Sequence, residues 1–352
     1  MTVTHAGPMT GSERMLAAAR RQPADRTPIW FMRQAGRCLA RYRALRETYD
    51  ILTITRTPEL CAQVTLMPVE EFGVDAAVMY ADIMLPLIGM GVPFSIDPGI
   101  GPLIHVPVRT VADVAGLRIV DPREATPDLF DAIRIVRREL DGTTAVVGFA
   151  GGPFTVASYM IEGKPTKEFS RTKAMLHGEP ELWHRLMTTL TDVTISYLRA
   201  QIEAGVQMIQ LFDSWAGALS VSAYEAMVLP YSRRILETVG ETGVPTIHFG
   251  TTTSHLLEPM ARCGSDVISV DWRLPLDEAW RRIGDRAIQG NLDPGVMLAP
   301  FEVIAREARQ ILEFAAGRPG HIFNLGHGVL PETPSDHLKR LAELVHEETA
   351  RG

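Results

Sequence analysis

Residues 145–153 read AVVGFAGGP: an unbroken apolar run followed at once by two glycines and a proline. A strand that shows one face to water alternates apolar and polar residues, whereas a strand covered on both faces reads as a continuous apolar run. The glycines and proline then punctuate the chain and lead into a helix-like stretch. Outward from it, comparable β-rich apolar runs recur at 28–32, 77–81, 208–212, 245–249, 266–270, 287–290 and 321–324. Amphipathic, helix-like segments lie between them. Eight strand candidates alternating with helices predict an α/β protein, a single (β/α)₈ TIM-type barrel with its active-site cleft at the C-terminal ends of the strands. An open doubly wound sheet is the structural alternative. With no repeat or low-complexity tract, the chain is expected to form a flexible N-terminus over 1–10 and one catalytic domain over 11–352.

Two connections exceed what the repeat requires. Residues 92–108 are read as an inserted hairpin turning at Asp97-Pro98-Gly99, and GGPFTVASYMIEGKPTKEF, from Gly151, as an insertion that forms part of a lid. The bulk composition fits this reading. The chain has 352 residues, 46% of them hydrophobic and 22% charged, enough to bury one large core. A net charge of −7 disfavours a nucleic-acid or anionic-membrane surface. No apolar run is long enough to span a bilayer, and the N-terminus lacks the apolar core of a signal peptide. Cys38, Cys61 and Cys263 are odd in number and lack metal-like spacing. A reduced, cytoplasmic protein without metal or membrane partner is expected.

If the chain forms a barrel, chemistry belongs just beyond each strand. There the sequence places Arg33-Gln34-Ala35-Gly36-Arg37, Asp82, Asp213-Ser214-Trp215, His248-Phe249-Gly250, Asp271-Trp272-Arg273, Asn291-Leu292-Asp293 and Gly326-His327-Gly328. Arg33 and Arg37, four apart, can share one face and grip carboxylates or phosphates with their forked donors, or else pair with carboxylates of the protein. Asp82, straight after an apolar strand, is either paired with an arginine or kept for a ligand that brings donors. Asp213-Ser214 supplies a carboxylate and a hydroxyl, or caps a helix. His327 between glycines can approach a ligand closely or be satisfied within its own loop. The glycines at 290–295 and 326–328 weakly suggest phosphate. There is no HExxH, GxSxG or acidic cluster with metal spacing. Residues alone point to a barrel enzyme acting on a polyanion.

The segment TPIWFMRQAGR (27–37) resembles the N-terminal signature of the uroporphyrinogen decarboxylase family. GGPFTVASYMIEG (151–163), QLFDSWAGALS (210–220), IHFGTTTSHLL (247–257), SVDWRLPL (269–276), QGNLDPGVML (289–298) and FNLGHGVLPETP (323–334) resemble its later motifs, in order. Two places depart from it: Cys38-Leu39-Ala40-Arg41-Tyr42 after the signature, and Lys164, beside the matching Lys167. The resemblance implies cofactor-free conversion of uroporphyrinogen III to coproporphyrinogen III in heme biosynthesis, four acetate arms becoming methyls, by a cytoplasmic homodimer. It implies catalytic roles for Asp82, Arg33, Arg37, Tyr159 and His327. It also implies substrate binding by Arg33, Gln34, Ala35, Gly36, Arg37, Asp82, Tyr159, Ser214 and His327. The competing readings are a zinc-dependent methyltransferase of the same superfamily, a tetrapyrrole carrier and a phosphosugar-type barrel. The first would need a second ligand where Gly250 stands.

Overall fold

A computed structural model describes residues 8–97 and 99–351. The strands in chain order are β1 (Ala76–Val78), β2 (Phe94–Asp97), β3 (Gly101–Ile104), β4 (Ala145–Gly151), β5 (Met208–Phe212), β6 (Thr246–Phe249), β7 (Val267–Ser269), β8 (Ala287–Gln289) and β9 (His321–Ile322). Seven form one parallel sheet in the order β1-β4-β5-β6-β7-β8-β9, so each new strand adds beside its predecessor. The register runs across it as Val78↔Val147↔Met208 and Phe212↔Phe249↔Ser269↔Gln289↔Ile322. Helices cover the outside. The longest, Pro180–Ala204, packs on β4 and on the helices Pro127–Leu140 and Leu229–Gly240. The expected hairpin is present as β2 and β3, paired Asp97↔Gly101 through Phe94↔Ile104. Its expected turn residue Pro98 lies outside the described residues.

The sheet curls. Gln289 on β8 donates across the interior to Gln210 Oε1 on β5 (3.0 Å) and to Ser269 Oγ on β7 (2.9 Å), and accepts from Trp30 Nε1 (2.9 Å). Side chains three strands apart meet only across a concave face. Both glutamines are fully buried, and the mutual bonding offsets the cost of burying their amides.

The expectation of a strand over 28–32 is corrected. That segment lies between β9 and β1 but makes only one parallel bridge, Ile29↔Phe323. Phe323 N–H donates to Pro28 O (2.8 Å), and on the other side Asp75 N–H donates to Ile29 O (2.8 Å). Most of its own amides turn to side chains: Ile29 to Asp75 Oδ2 (2.9 Å), Phe31 to Gln34 Oε1 (2.9 Å), Met32 to Asn324 Oδ1 (3.0 Å). Side-chain acceptors replace a neighbouring strand, so the backbone is satisfied without a ladder.

Asp75, just before β1, ties the N-terminal face of the sheet together. Its carboxylate accepts from Arg14 Nη1 (3.0 Å), from the Ile29 amide and from His346 Nε2 (2.7 Å). Residues 1–7 of the start expected to be flexible lie outside the described residues. Met9 and Thr10 are held: the Met9 amide donates to Asp25 Oδ2 (3.1 Å), and Thr10 forms a capping box with Glu13 at the head of Gly11–Ala19. Among the described residues no helix is long and apolar enough to cross a membrane. All three cysteines are buried free thiols.

Candidate active site

The C-terminal strand ends bring most of the expected residues together. Asp82 follows β1 by four residues, where the chain turns toward the helix Pro86–Met90. Its Oδ1 accepts the Met84 amide (2.9 Å), and among the described residues no cation pairs with it. Water reaches this carboxylate, yet protein walls most of the space around it. Burial raises its pKa, opposed by the Met84 amide and by the Arg33 charge. Asp82 is thus not the arginine-paired carboxylate that the sequence allowed.

Arg33 and Arg37 also lack ion-pair partners among the described residues. Arg33 has a left-handed backbone (φ 59°) that sends its side chain past the loop 326–328. The fit depends on Gly328: a Cβ there would stand 2.4 Å from Arg33 Cδ and 2.7 Å from its Cγ. Arg33 is open to water at the end of its side chain, but the protein around it and the like charge of Arg37 lower its pKa. Solvent limits the size of that shift. Between the two arginines, the amides of Ala35, Gly36 and Arg37 find no acceptor among the described residues. Gln34 behaves differently: it is fully buried, donates Nε2 to Ala76 O (2.8 Å) and accepts the Phe31 amide. Its side chain braces the turn and points away from the cleft.

Tyr159 comes from the helix Pro153–Glu162 and stacks on Trp215, ring centres 4.0 Å apart. Burial, then the Asp82 charge, pushes its phenol up to about 12, so it stays protonated. His327 sits edge-on to Phe249 (6.0 Å). Its Nδ1 accepts the Gly328 amide (2.5 Å), which leaves the proton on Nε2. Burial and the charges of Arg33 and Arg37 lower its pKa to about 4, and the ring is a neutral donor at pH 7. The hydroxyl of Ser214 has no partner among the described residues, while its carbonyl accepts from Thr251 Oγ1 (2.5 Å).

Asp213 does not cap a helix. It is fully buried, accepts from Thr155 Oγ1 (3.2 Å) and lies 3.8 Å from His248 Nε2. His248 is likewise buried behind the strand ends and outside the cleft. Sequence reasoning did not single out an aromatic wall. Phe212 and Phe249 are the last residues of β5 and β6, and Phe149 stands two residues before the end of β4, with ring centres 5.3 Å (Phe149–Phe212) and 5.6 Å (Phe212–Phe249) apart. At a strand end an apolar ring reads like core, and only the recurrence of phenylalanine near the C-terminal ends of neighbouring strands gives a signal. A surface concavity of about 450 Å³ beside Val111, His184 and Thr188 is far from these groups and gathers no comparable set of charges.

Together the strand ends offer an unpaired carboxylate, two unpaired guanidiniums, free amides, a phenol, a hydroxyl and a neutral imidazole beside aromatic rings. The family profile described as "Uroporphyrinogen decarboxylase (URO-D)" matches residues 10–348. The chain belongs to the uroporphyrinogen decarboxylase family. As a member it is a carboxy-lyase of porphyrin biosynthesis. A relative named uroporphyrinogen decarboxylase from Sorangium cellulosum is 52% identical over 335 residues, 95% of this chain and 96% of that one. Another of that name, from Thermus thermophilus, is 50% identical over 336 residues, 96% of this chain and 98% of its own. Among solved structures, a methyltransferase from Methanosarcina mazei superposes with a TM-score of 0.83 at 22% identity, covering 97% of this chain and 99% of that one. That likeness concerns the fold alone.

Proposed function

We propose that this cleft binds uroporphyrinogen III and releases CO₂ from its four acetate arms to give coproporphyrinogen III, with no metal or organic cofactor. One observation carries the reading: Asp82, a carboxylate left without a cation, shares a pocket with Arg33 and Arg37, which are left without anions. A protein that only needed these charges for stability would pair them. A ligand bearing N–H donors at its centre and carboxylates at its edge completes all three.

On this reading Asp82 accepts from the pyrrole N–H groups. Protonation of a pyrrole α-carbon makes the ring a cation that the carboxylate stabilises. The bond to the acetate carboxyl then breaks, CO₂ leaves, and its electron pair flows into the protonated ring. A second proton converts the exocyclic methylene to a methyl, and loss of the α-proton restores the pyrrole. The substrate is thus its own electron sink, and the protein orients, donates protons and balances charge. Arg33, Arg37, Ser214 and the amides of Ala35 and Gly36 hold carboxylates, and Tyr159 and the Nε2–H of His327 donate. Gln34 acts through the turn it braces. The lowered pKa of Arg33 is the direction a proton donor needs.

The segment 28–32, bonded to Phe323 on one side and receiving the Asp75 amide on the other, supports a closed eight-membered barrel. The family resemblance supports a cytoplasmic homodimer. The deciding experiment is an anaerobic assay of metal-stripped protein with uroporphyrinogen III, following products by chromatography. Successive seven-, six-, five- and four-carboxylate species are expected. Intact substrate after incubation with folded protein would overturn the reading.

A further inference from the structure

Two arginines leave most of the charge of an octacarboxylate substrate unaccounted for. A third guanidinium stands across the loop that carries His327. Arg273 follows Asp271 by two residues beyond the end of β7 and is pinned in three ways. Its Nη1 donates to Asp271 Oδ2 (2.7 Å), its backbone amide donates to Asp271 Oδ1 (3.0 Å), and its guanidinium carbon lies 4.2 Å from the centre of the Trp272 ring. Asp271 is itself buried and takes the Thr252 amide as well (2.5 Å). The Arg273 side chain is nevertheless 44% exposed, and its Nε and Nη2 donors have no acceptor among the described residues.

The loop 326–328 connects this arginine to the site. At Gly326 a Cβ would stand 2.6 Å from Trp272 N, and at Gly328 it would stand 2.4 Å from Arg33 Cδ. The Trp272–Arg273 turn and Arg33 therefore press on opposite ends of one three-residue loop, with the His327 imidazole between them. The His327 pKa responds to both charges, as groups sharing one cleft do. Pinning changes what such an arginine is worth. A loose surface arginine loses side-chain entropy when it grips an anion, whereas one already held by a carboxylate and a ring keeps its fork in place. Asp271 already receives two backbone amides, so neutralising it does not require a guanidinium stacked flat with its far edge open.

We infer that Arg273 is a substrate-binding residue, holding a tetrapyrrole carboxylate that the reaction leaves in place. The inference rests on the proposed uroporphyrinogen activity and assigns this side of the cleft to a carboxylate kept through all four rounds. An anchor of that kind binds ground and transition states alike, so it sets KM and leaves kcat alone.

The test compares wild type, Arg273→Gln, Arg273→Lys and the double variant Arg273→Gln/Asp271→Asn, which removes both members of the pair and leaves no buried carboxylate stranded. Each is checked by thermal unfolding. KM and kcat are then measured with uroporphyrinogen and with the five-carboxylate intermediate. Arg273→Gln and the double variant are expected to raise KM about tenfold for both substrates, with kcat within about twofold of wild type and partial recovery in Arg273→Lys. An unchanged KM in folded variants overturns the inference. So does a KM penalty confined to uroporphyrinogen, which would mean that the carboxylate is one of those removed. Wild-type protein that leaves uroporphyrinogen intact overturns the proposed activity itself. Wild-type turnover with an indifferent Arg273 overturns this assignment alone.

Discussion

Gly328→Ala tests whether the site depends on the path of the Arg33 side chain. The backbone of Gly328 is not in the left-handed region, so alanine meets no conformational penalty of its own. Space is the whole obstacle. The new methyl would lie 2.4 Å from Arg33 Cδ, 2.7 Å from Cγ and 3.1 Å from Cβ. Contacts so near the Arg33 backbone are not relieved by bending the tip; the side chain must leave its rotamer, and the guanidinium leaves the cleft with it. A charge-assisted hydrogen bond to a substrate carboxylate contributes about 1.5–3 kcal/mol. Its loss predicts a fall in kcat/KM of roughly 10- to 150-fold, with little change in the unfolding midpoint. A double-mutant cycle gives the sharper result. In an Arg33→Ala background only the 3.1 Å contact survives, and Gly328→Ala is expected to cost almost nothing further. A Gly328→Ala variant with wild-type kcat/KM, or an equal loss with and without the Arg33 side chain, would refute the steric argument.

At the opposite face, Asp75→Ala leaves Arg14, His346 and the Ile29 amide without a buried acceptor, although Arg14 keeps Asp25. Breaking a buried network of this kind costs roughly 3–5 kcal/mol; urea unfolding that reports less than about 1 kcal/mol would show the clamp to be dispensable. Asp82→Asn is expected to abolish turnover while raising the urea midpoint at pH 8. The reason is that Asp82 has a raised pKa in the fold, so the cost of its charge to the folded state builds as pH rises from its ordinary unfolded-state value through the raised one. An unchanged midpoint would contradict that burial argument. The same shift sets the acid limb of the activity profile. As pH falls, Asp82 takes up its proton above the ordinary carboxylate range, and His327, at about 4, contributes no inflection near 6.5. A limb in kcat/KM that moves in a His327→Gln variant would refute this assignment.

Much of this architecture is legible in the sequence because buried parallel strands announce themselves as unbroken apolar runs, and the change to polar residues marks their C-terminal ends. Asp82, Arg33, Arg37, Ser214 and His327 stand out for that reason. What escapes the pattern depends on partners distant in sequence. Residues 28–32 look like a strand, but whether their amides meet a ladder or the side chains of Asp75, Gln34 and Asn324 is decided by tertiary structure. Gln34 lies between two cleft arginines in the sequence, and only the position of Ala76 O shows that it faces inward. Asp213 has the residue type of a helix cap, yet the fold surrounds it with Thr155, Ser232 and His248.

The segment 28–32 has a further consequence when the protein is made on a ribosome. Its Met32 amide is satisfied by Asn324, 292 residues downstream, and its Trp30 indole by Gln289, 259 residues downstream. At synthesis rates of about 5–20 residues per second, the stretch Ile29-Trp30-Phe31-Met32 waits roughly 15–60 s for its last acceptor to emerge. Until then this apolar stretch of the nascent chain has nowhere permanent to go. A stretch made early is completed only by partners made up to 292 residues later, and it is during that interval that a chaperone would have an opportunity to hold the chain.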